Sequence, residues 1–415
     1  MPRPHLLMIG SGPEIMRGYM LQAAAARHPI LLIDTSAPTW QLPYIRDHVV
    51  VSDLSRTAAV AAAADALAGR QHIGGIVTYD EFQLLTTAKI AEHLALLANS
   101  PAAVRACRDK ATSRERLAAA DVPSADFTWV ESLQEAVRAA DRMGFPVVLK
   151  PSSSAGSMGV TRADSVRDLA RAWDVAIDGA AHQGFEGHSG GVLVEEYLDG
   201  PEISVETLTD QGITTPIAVT RKSLGYAPYF LETGHTVTGA DPLLPAVAPT
   251  AAAALRALGI THGISHVEMR LTPSGPRIIE VNARLGGDRI GQLVHHATGI
   301  DLAGAAADLA MGHHPTLNPT RASTAAIGML YPTSDGYLTQ RSLQPGRPGD
   351  GVEDFQWLCQ PGVAVTLTPS SQHPNNTRVG FAVVTGATPE DARHNLSAAL
   401  ERAQIRVHSS AAHAA

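Results

Sequence analysis

Glu268, Glu280, Asn282 and Arg284 fall within one short stretch, residues 263–287, whose pattern dictates how they meet. His266-Val267-Glu268-Met269-Arg270-Leu271 has strand character, Thr272-Pro273-Ser274-Gly275-Pro276 is a turn, and Arg277-Ile278-Ile279-Glu280-Val281-Asn282 returns as a strand. A hairpin centred on Ser274 sets Glu268 directly across from Glu280, and like charges about 5 Å apart on facing strands repel. Alternation along the strand points Glu280, Asn282 and Arg284 the same way. Two carboxylates and an amide oxygen make an all-oxygen donor set, the kind that suits Mg²⁺ held jointly with waters and nucleotide phosphates. The competing arrangement is an exposed hairpin whose acids pair with Arg270 and Arg277.

A second group of residues lies at 150–159. A strand ending in Lys150 runs into Ser152-Ser153-Ser154-Ala155-Gly156-Ser157-Met158-Gly159. Small residues let backbone N–H groups approach an anion, hydroxyls add donors, and the lysine acts as a point charge for phosphate. The alternative is a flexible loop between hairpin strands. No Gly-Lys-Ser/Thr follows, so the run is not a Walker A loop. Gly10-Ser11-Gly12 after the first strand mimics a dinucleotide fingerprint, but the next glycine is Gly18 and the spacing is wrong. Glu232-Thr233-Gly234-His235 reads as a polar loop, and Arg221 and Lys222 end the strand before it. The adjacent pairs His295-His296 and His313-His314 read as surface or packing residues, because neighbours on a helix do not face one site.

These groups need elements to position them. Residues 6–9, 29–33, 49–51 and 75–78 read as strands, with helices over 14–27 and 81–97, which is the grammar of a small open α/β domain over the first hundred residues. Two short helices follow around Asp109-Lys110, then a helix over 133–143 capped by Gly144, a strand over 145–150 and a helix over 165–177. Residues 192–198, 202–208 and 213–220 read as strands, and 182–191 as a loop. Helices are expected over 250–258, 293–298 and 302–311. The last hundred residues mix strands and Pro/Gly turns with one helix over 389–403.

At 415 residues the chain is too long for one core, so two to four domains or lobes are expected. A net charge of −8 argues against a general nucleic-acid binder, which needs clustered Lys and Arg. Cys107 and Cys359 stand alone, with neither a disulfide framework nor a zinc pattern, in keeping with a reducing cytosol and a cytoplasmic location. The apolar run before Gly10 is too short for a signal peptide, and nothing approaches a membrane span.

Taken together the motifs resemble the ATP-grasp superfamily over roughly residues 101–300. The residues that carry the resemblance are Lys110; Gly144-Phe145-Pro146-Val147-Val148-Leu149-Lys150-Pro151; Ser154-Ala155-Gly156-Ser157-Met158-Gly159-Val160; Glu195-Glu196-Tyr197-Leu198 with Gly200 and Glu202; and Glu280-Val281-Asn282-Ala283-Arg284. The resemblance implies a multidomain protein, α/β and α+β. An N-terminal open parallel α/β domain (1–100) precedes an ATP-grasp domain (101–310, lid about 121–190, core about 191–310), and an extra C-terminal α+β domain follows (311–415). It implies ATP and Mg²⁺ as cofactors, with Mn²⁺ as a substitute.

By the same resemblance Lys110 and Lys150 contact ATP phosphates, joined by Lys222 as a further nucleotide contact. Ser154, Gly156, Ser157, Met158 and Gly159 close over the β- and γ-phosphates. Backbone groups of Glu195, Glu196 and Leu198 read the adenine, and Glu202 takes the ribose. Glu268, Glu280 and Asn282 hold the metal, and Arg284 stabilises the acyl phosphate and the tetrahedral intermediate. Within the superfamily the chain looks most like bacterial L-amino-acid ligases and related carboxylate–amine ligases. That likeness rests on Glu232-Thr233-Gly234-His235, on Asn282-Ala283-Arg284-Leu285-Gly286-Gly287-Asp288 and on the C-terminal domain. It implies that Glu232, His235, Arg284, Gly287 and Asp288 line the substrate site, with Glu232 or His235 holding the incoming ammonium or accepting its proton. The expected activity is ATP-dependent joining of a carboxylate and an amine into a dipeptide-like amide. The partners are small molecules rather than nucleic acid or membrane, and a homodimer is the arrangement usual in such look-alikes. The alternative keeps the ATP-grasp core with another acceptor, as in a carboxylase or a purine-pathway ligase.

Overall fold

Four parallel strands open the chain: β1 (His5–Ile9), β2 (Ile30–Asp34), β3 (Ile45–Val50) and β4 (Ile73–Val77), in the order β3-β2-β1-β4. Helix α1 (Glu14–Ala25) packs with Leu6 and Met8 on one face, while α2 (Thr57–Ala68) and α3 (Leu84–His93) cover Leu7 and Ile9 on the other. Both faces are covered, so the inner strands are continuously apolar. The helix expected over 81–97 is a short 3₁₀ turn at Glu81–Gln83 followed by α3. The computed structural model describes residues 3–154, 156–181, 190–347, 349–367 and 378–408. The loop expected at 182–191 therefore lies largely outside the described residues.

Helices α4 (Pro101–Arg108) and α5 (Lys110–Ala119) form as expected, because each has a stop and a start signal between them. Ser100 caps α4 at the Ala103 N–H (3.2 Å), and Asp109 caps α5 at the Thr112 N–H (2.9 Å). An antiparallel sheet follows, in the order β5-β8-β6-β7, built from β5 (Phe127–Val130), β6 (Val147–Pro151), β7 (Thr161–Ala163) and β8 (Val192–Glu196). It is covered by α6 (Leu133–Met143), which ends at Gly144 with φ 85°, and α7 (Val166–Ala181).

The largest sheet has eight strands in the order β13-β12-β9-β10-β11-β14-β18-β16. Its members are β9 (Glu202–Asp210), β10 (Ile213–Gly225), β11 (Leu231–Thr238), β12 (Gly263–Thr272), β13 (Gly275–Asn282), β14 (Thr324–Leu330), β16 (Val352–Trp357) and β18 (Gly380–Gly386). Helix α8 (Leu244–Leu258) covers Ile203, Val205, Val267 and Met269 on one face. Pleating therefore sends Glu202, Ser204, Glu206, His266, Glu268 and Arg270 to the other face, and that polar face builds the site. Helix α9 (Ile290–Thr298) packs on β11 and β14 of this sheet, α10 (Leu302–Ala310) packs against α1 and β4 of the N-terminal part, and α11 (Pro389–Glu401) backs β18 and β14. A small sheet, β17-β15-β19, joins β15 (Gly336–Leu343), β17 (Ala364–Val365) and β19 (Ala403–His408). The C-terminal segment, α+β as expected, is thus not a layer apart, because β14, β18 and β16 extend the same sheet that carries the hairpin. Among the described residues no helix is long and apolar enough to cross a membrane.

Candidate active site

The expected hairpin forms, and Glu268 pairs with Glu280 across it. A register shift just after Glu268 marks a bulge, a device that re-aims side chains beside functional sites. Glu268, Glu280, Asn282 and Arg284 all line one cavity of about 220 Å³. The alternative pairing with Arg270 and Arg277 does not occur. Arg270 holds Glu202 (3.0 Å) and Arg277 holds Glu196 (2.6 Å). The two acids are neutralised instead by residues from other elements. Lys110 lies 3.2 Å from Glu280, while Lys222 (3.1 Å) and His266 Nε2 (2.9 Å) flank Glu268. Burial alone would raise the Glu268 carboxyl, but Lys222 and His266 overcome that and hold it well below the usual range. His266 is braced through Nδ1 by the fully buried Glu206 (2.8 Å). Burial would lower this imidazole, yet the two carboxylates push it up to about 9. An all-oxygen set facing one cavity fits a divalent cation such as Mg²⁺.

Beside these acids the lining carries two lysines. Lys110 begins α5; its backbone N–H donates to Ser152 O (2.9 Å) and its Nζ to Ser154 O (2.7 Å), so the helix start is tied to the serine loop. Lys150 ends β6 and pairs with Glu195 (2.6 Å), which also takes Arg114 of α5 (2.9 Å). Burial would raise the Glu195 carboxyl; Arg114 and Lys150 together hold it below its ordinary value. Ser154, Gly156 and Ser157 line the cavity. Gly156 (φ 65°) and Ser157 (φ 56°) are both left-handed. Met158 and Gly159 do not line it. Gly159 instead packs against α7, where a Cβ would meet Pro151 Cγ at 2.6 Å. Ala155 is outside the described residues. Glu195, Glu196, Leu198 and Glu202 line the cavity, although the Glu196 N–H already donates to Asp126 O (3.0 Å).

Two expectations need correction. Lys222 does not line the cavity. Its Nζ is buried among Glu232 (2.5 Å), Glu268 (3.1 Å) and Glu202 (3.5 Å), where it serves as the shared countercharge that keeps three acids together. Glu232-Thr233-Gly234-His235 is not a loop but the first half of β11, in the interior of the eight-stranded sheet. Gly234 has a packing reason to be glycine: a Cβ there would lie 2.5 Å from the Ile327 carbonyl oxygen of β14.

The third wall joins β11 to residues 287–288. His235 Nε2 lies 3.1 Å from Asp288 Oδ2 and 3.8 Å from Glu232 Oε2. Asp288 Oδ1 takes Arg378 (2.6 Å). Burial opposes ionisation of Asp288, but Arg378 and His235 hold its carboxyl far below the usual carboxylate range. Asp288 (φ 49°) and Arg289 (φ 60°) are both left-handed without being glycine, a strain that persists where surroundings over-determine it. The clamps here are Arg378 on Asp288 and Asp354 on Arg289 (2.6 Å).

Several functional neighbours carried no sequence motif. Arg284 Nε is gripped by Glu81 (2.5 Å), which also holds Arg108 (2.8 Å). Glu81 follows β4 at the carboxyl end of a parallel strand, the edge where open α/β sheets place ligands, and that position was the available signal. Glu206 and His266 were marked only by the polar alternation of β9 and β12. Arg114 and Arg378 had no signal at all. The histidine pairs 295–296 and 313–314 stand outside the cavity.

A family model described as the ATP-grasp domain matches residues 143–292. The uncharacterized protein y4rH of Sinorhizobium fredii is 30% identical over 367 residues, 88% of this chain and 75% of that one. Carnosine synthase 1 of Gallus gallus is 32% identical over 260 residues, 59% of this chain but 28% of the relative. The chain therefore spans under a third of that relative's length. Among solved structures, an L-amino acid ligase from Bacillus licheniformis superposes with a TM-score of 0.80 at 20% identity, covering 99% of this chain and 100% of that one. Biotin carboxylases share the fold at lower identity.

Proposed function

The chain belongs to the ATP-grasp superfamily, and from that premise we propose that it is an ATP-dependent carboxylate–amine ligase making a dipeptide-like amide through an acyl phosphate. The observation that supports this most is the division of charge around one cavity. Lys110, Lys150 and the serine loop form one group, the Glu268–Glu280–Asn282 set a second, and Glu232, His235 and Asp288 a third, and all of them line that cavity. Phosphates suit the first group and an ammonium the last.

In this reading Lys110 and Lys150 neutralise the ATP phosphates, and the loop around Gly156 lends N–H donors. Glu202 receives the ribose, and the strand running through Glu195 to Leu198 reads the base. The carboxylate of the acid substrate attacks the γ-phosphorus and the bond to the β-phosphate oxygen breaks, releasing ADP. The amine nitrogen then attacks the acyl carbon, the carbon–oxygen bond to phosphate breaks, and phosphate leaves. Arg284 holds the phosphoryl oxygens and the tetrahedral oxyanion. The amine must lose protons before it becomes the amide, and His235 or Glu232 takes one. Glu268, Glu280 and Asn282 would hold Mg²⁺, or Mn²⁺ in its place, which supplies charge neutralisation to the phosphates. No protein nucleophile is needed: the work is positioning and fixed charge.

The test is phosphate release from ATP and Mg²⁺ across a matrix of amino acids and small carboxylates, with mass spectrometry of the products. Release that needs two amino-acid-like substrates, with a product of summed mass less water, upholds the reading. Release that follows bicarbonate or a purine-pathway amine instead moves the enzyme to the other ATP-grasp acceptor classes.

A further inference from the structure

If the amine substrate is an amino acid, its own carboxylate needs a cation, and the cavity's cations can be assigned one by one. Lys110 and Lys150 stand on the serine-loop wall, and Arg284 beside the reacting position. Arg270 is folded back onto Glu202 and Gly200 O. Arg378 remains. It enters from the C-terminal segment, next to β18, and lines the cavity beside Glu232, His235 and Asp288. It is also the most accessible of these cations: its side chain is 25% exposed, against 5% for Lys110, 9% for Lys150, 10% for Arg270 and 13% for Arg284.

Its geometry is that of a held fork with capacity left. A guanidinium has five N–H donors. Arg378 Nε donates to Tyr331 Oη (3.2 Å), one Nη1 hydrogen to Asp288 Oδ1 (2.6 Å) and one Nη2 hydrogen to Glu232 O (3.3 Å). Tyr331 Oη in turn donates to Glu232 O (2.8 Å), so the fork is braced from behind. Among the described residues, one hydrogen on each terminal nitrogen has no hydrogen-bond partner, so donors remain for a carboxylate. The Glu232 carboxylate is close at hand, its Oε2 3.7 Å from Arg378 Nη2.

We propose that Arg378 binds the carboxylate of the amine substrate while Glu232 faces its ammonium, so that the acceptor is an amino acid with a free carboxylate rather than a simple amine. The inference rests on the ligase reading, deepens it to a substrate class, and makes Arg378 a specificity residue supplied by the C-terminal segment.

The experiment compares the twenty amino acids with their primary amides, each by steady-state phosphate release and by calorimetry against enzyme loaded with Mg²⁺ and ADP. These are repeated in Arg378→Gln and in Arg378→Lys. Loss of a charge-assisted pair of bonds should raise KM for the accepted amino acid about 10- to 100-fold with kcat little changed. Lysine, which keeps the charge without the fork, should recover part of the loss, and the amide should be poor in the wild type and indifferent to either substitution. An amide as good as its acid in the wild type overturns the inference, as does equal loss for both ligands in Arg378→Gln. Turnover on a simple amine with no amino-acid binding also overturns it while leaving the ligase reading intact. Arg378-dependent amino-acid binding without turnover upholds it and removes the amide-forming reading instead.

Discussion

Arg284 stands where three segments meet: it leaves the hairpin, is gripped by Glu81 from the N-terminal sheet, and faces the cavity that Lys110 and Glu280 share. Arg284→Ala should cut turnover about 10²–10³-fold with nucleotide affinity unchanged in a fluorescence titration. A matching loss of nucleotide affinity would contradict its role at the acyl phosphate. Glu280→Ala should abolish turnover and leave the thermal unfolding transition in place, whereas a wild-type-like rate would remove the metal assignment. Glu81 adds a pH signature. Burial opposes its charge, but Arg284 and Arg108 hold the carboxyl down at about 2, from 4.5. The folded state favours the ionised form, so this contribution is complete above about pH 4.5 and is lost as pH falls toward 2. It amounts to something on the order of 3 kcal/mol. Denaturant stability measured across that window should show a shallower acid limb in Glu81→Gln than in the wild type, and superimposable limbs would contradict the assignment. At this scale the convergence of Glu268, Glu280, Asn282 and Arg284 on one cavity was legible because residue type and strand period sufficed. Arg114, Arg378 and the Glu81 grip were not, because each depends on a partner far away in sequence.

Strand period also explains which elements were read correctly. The hairpin's facing acids follow from a turn centred on Ser274 and side chains that alternate. Helices α4, α5 and α6 follow from Ser, Asp and Gly at their ends. β11 was misread because Glu, Thr, Gly and His are turn-like in composition. What makes them a strand is the pair of neighbours on either side, β10 and β14, the latter starting at Thr324. Gly234→Ala is the corresponding test. The added methyl would collide with the Ile327 carbonyl and should cost about 1–3 kcal/mol, visible as a lowered thermal midpoint, with catalysis impaired through His235 next door. A midpoint equal to wild type would mean that the two strands do not approach so closely in solution.

For the whole molecule, the relevant fact is a sheet that ignores the expected boundary at residue 310. Removing residues 311–415 would strip β14 from β11, expose the backbone of a central strand and take Arg378 from the cavity. Residues 1–310 alone should therefore show no cooperative unfolding transition, and a folded fragment with normal nucleotide affinity would show the C-terminal strands to be dispensable. Three walls of the cavity come from three parts of the chain: the serine loop with α5, the hairpin, and β11 with residues 287–288 and 378.

The sequence by itself determined the superfamily, the facing acids of the hairpin and most element positions. Each of these is local, carried by residue type, turn chemistry or a short period. Only the tertiary structure decided that Lys222 is buried among three acids, that Glu232 and His235 ride on a central strand, that Glu81 grips Arg284 and that Arg378 reaches the same cavity. A buried charge must be neutralised by whatever the fold brings within about 4 Å, and that choice is written in long-range packing, which no local pattern encodes.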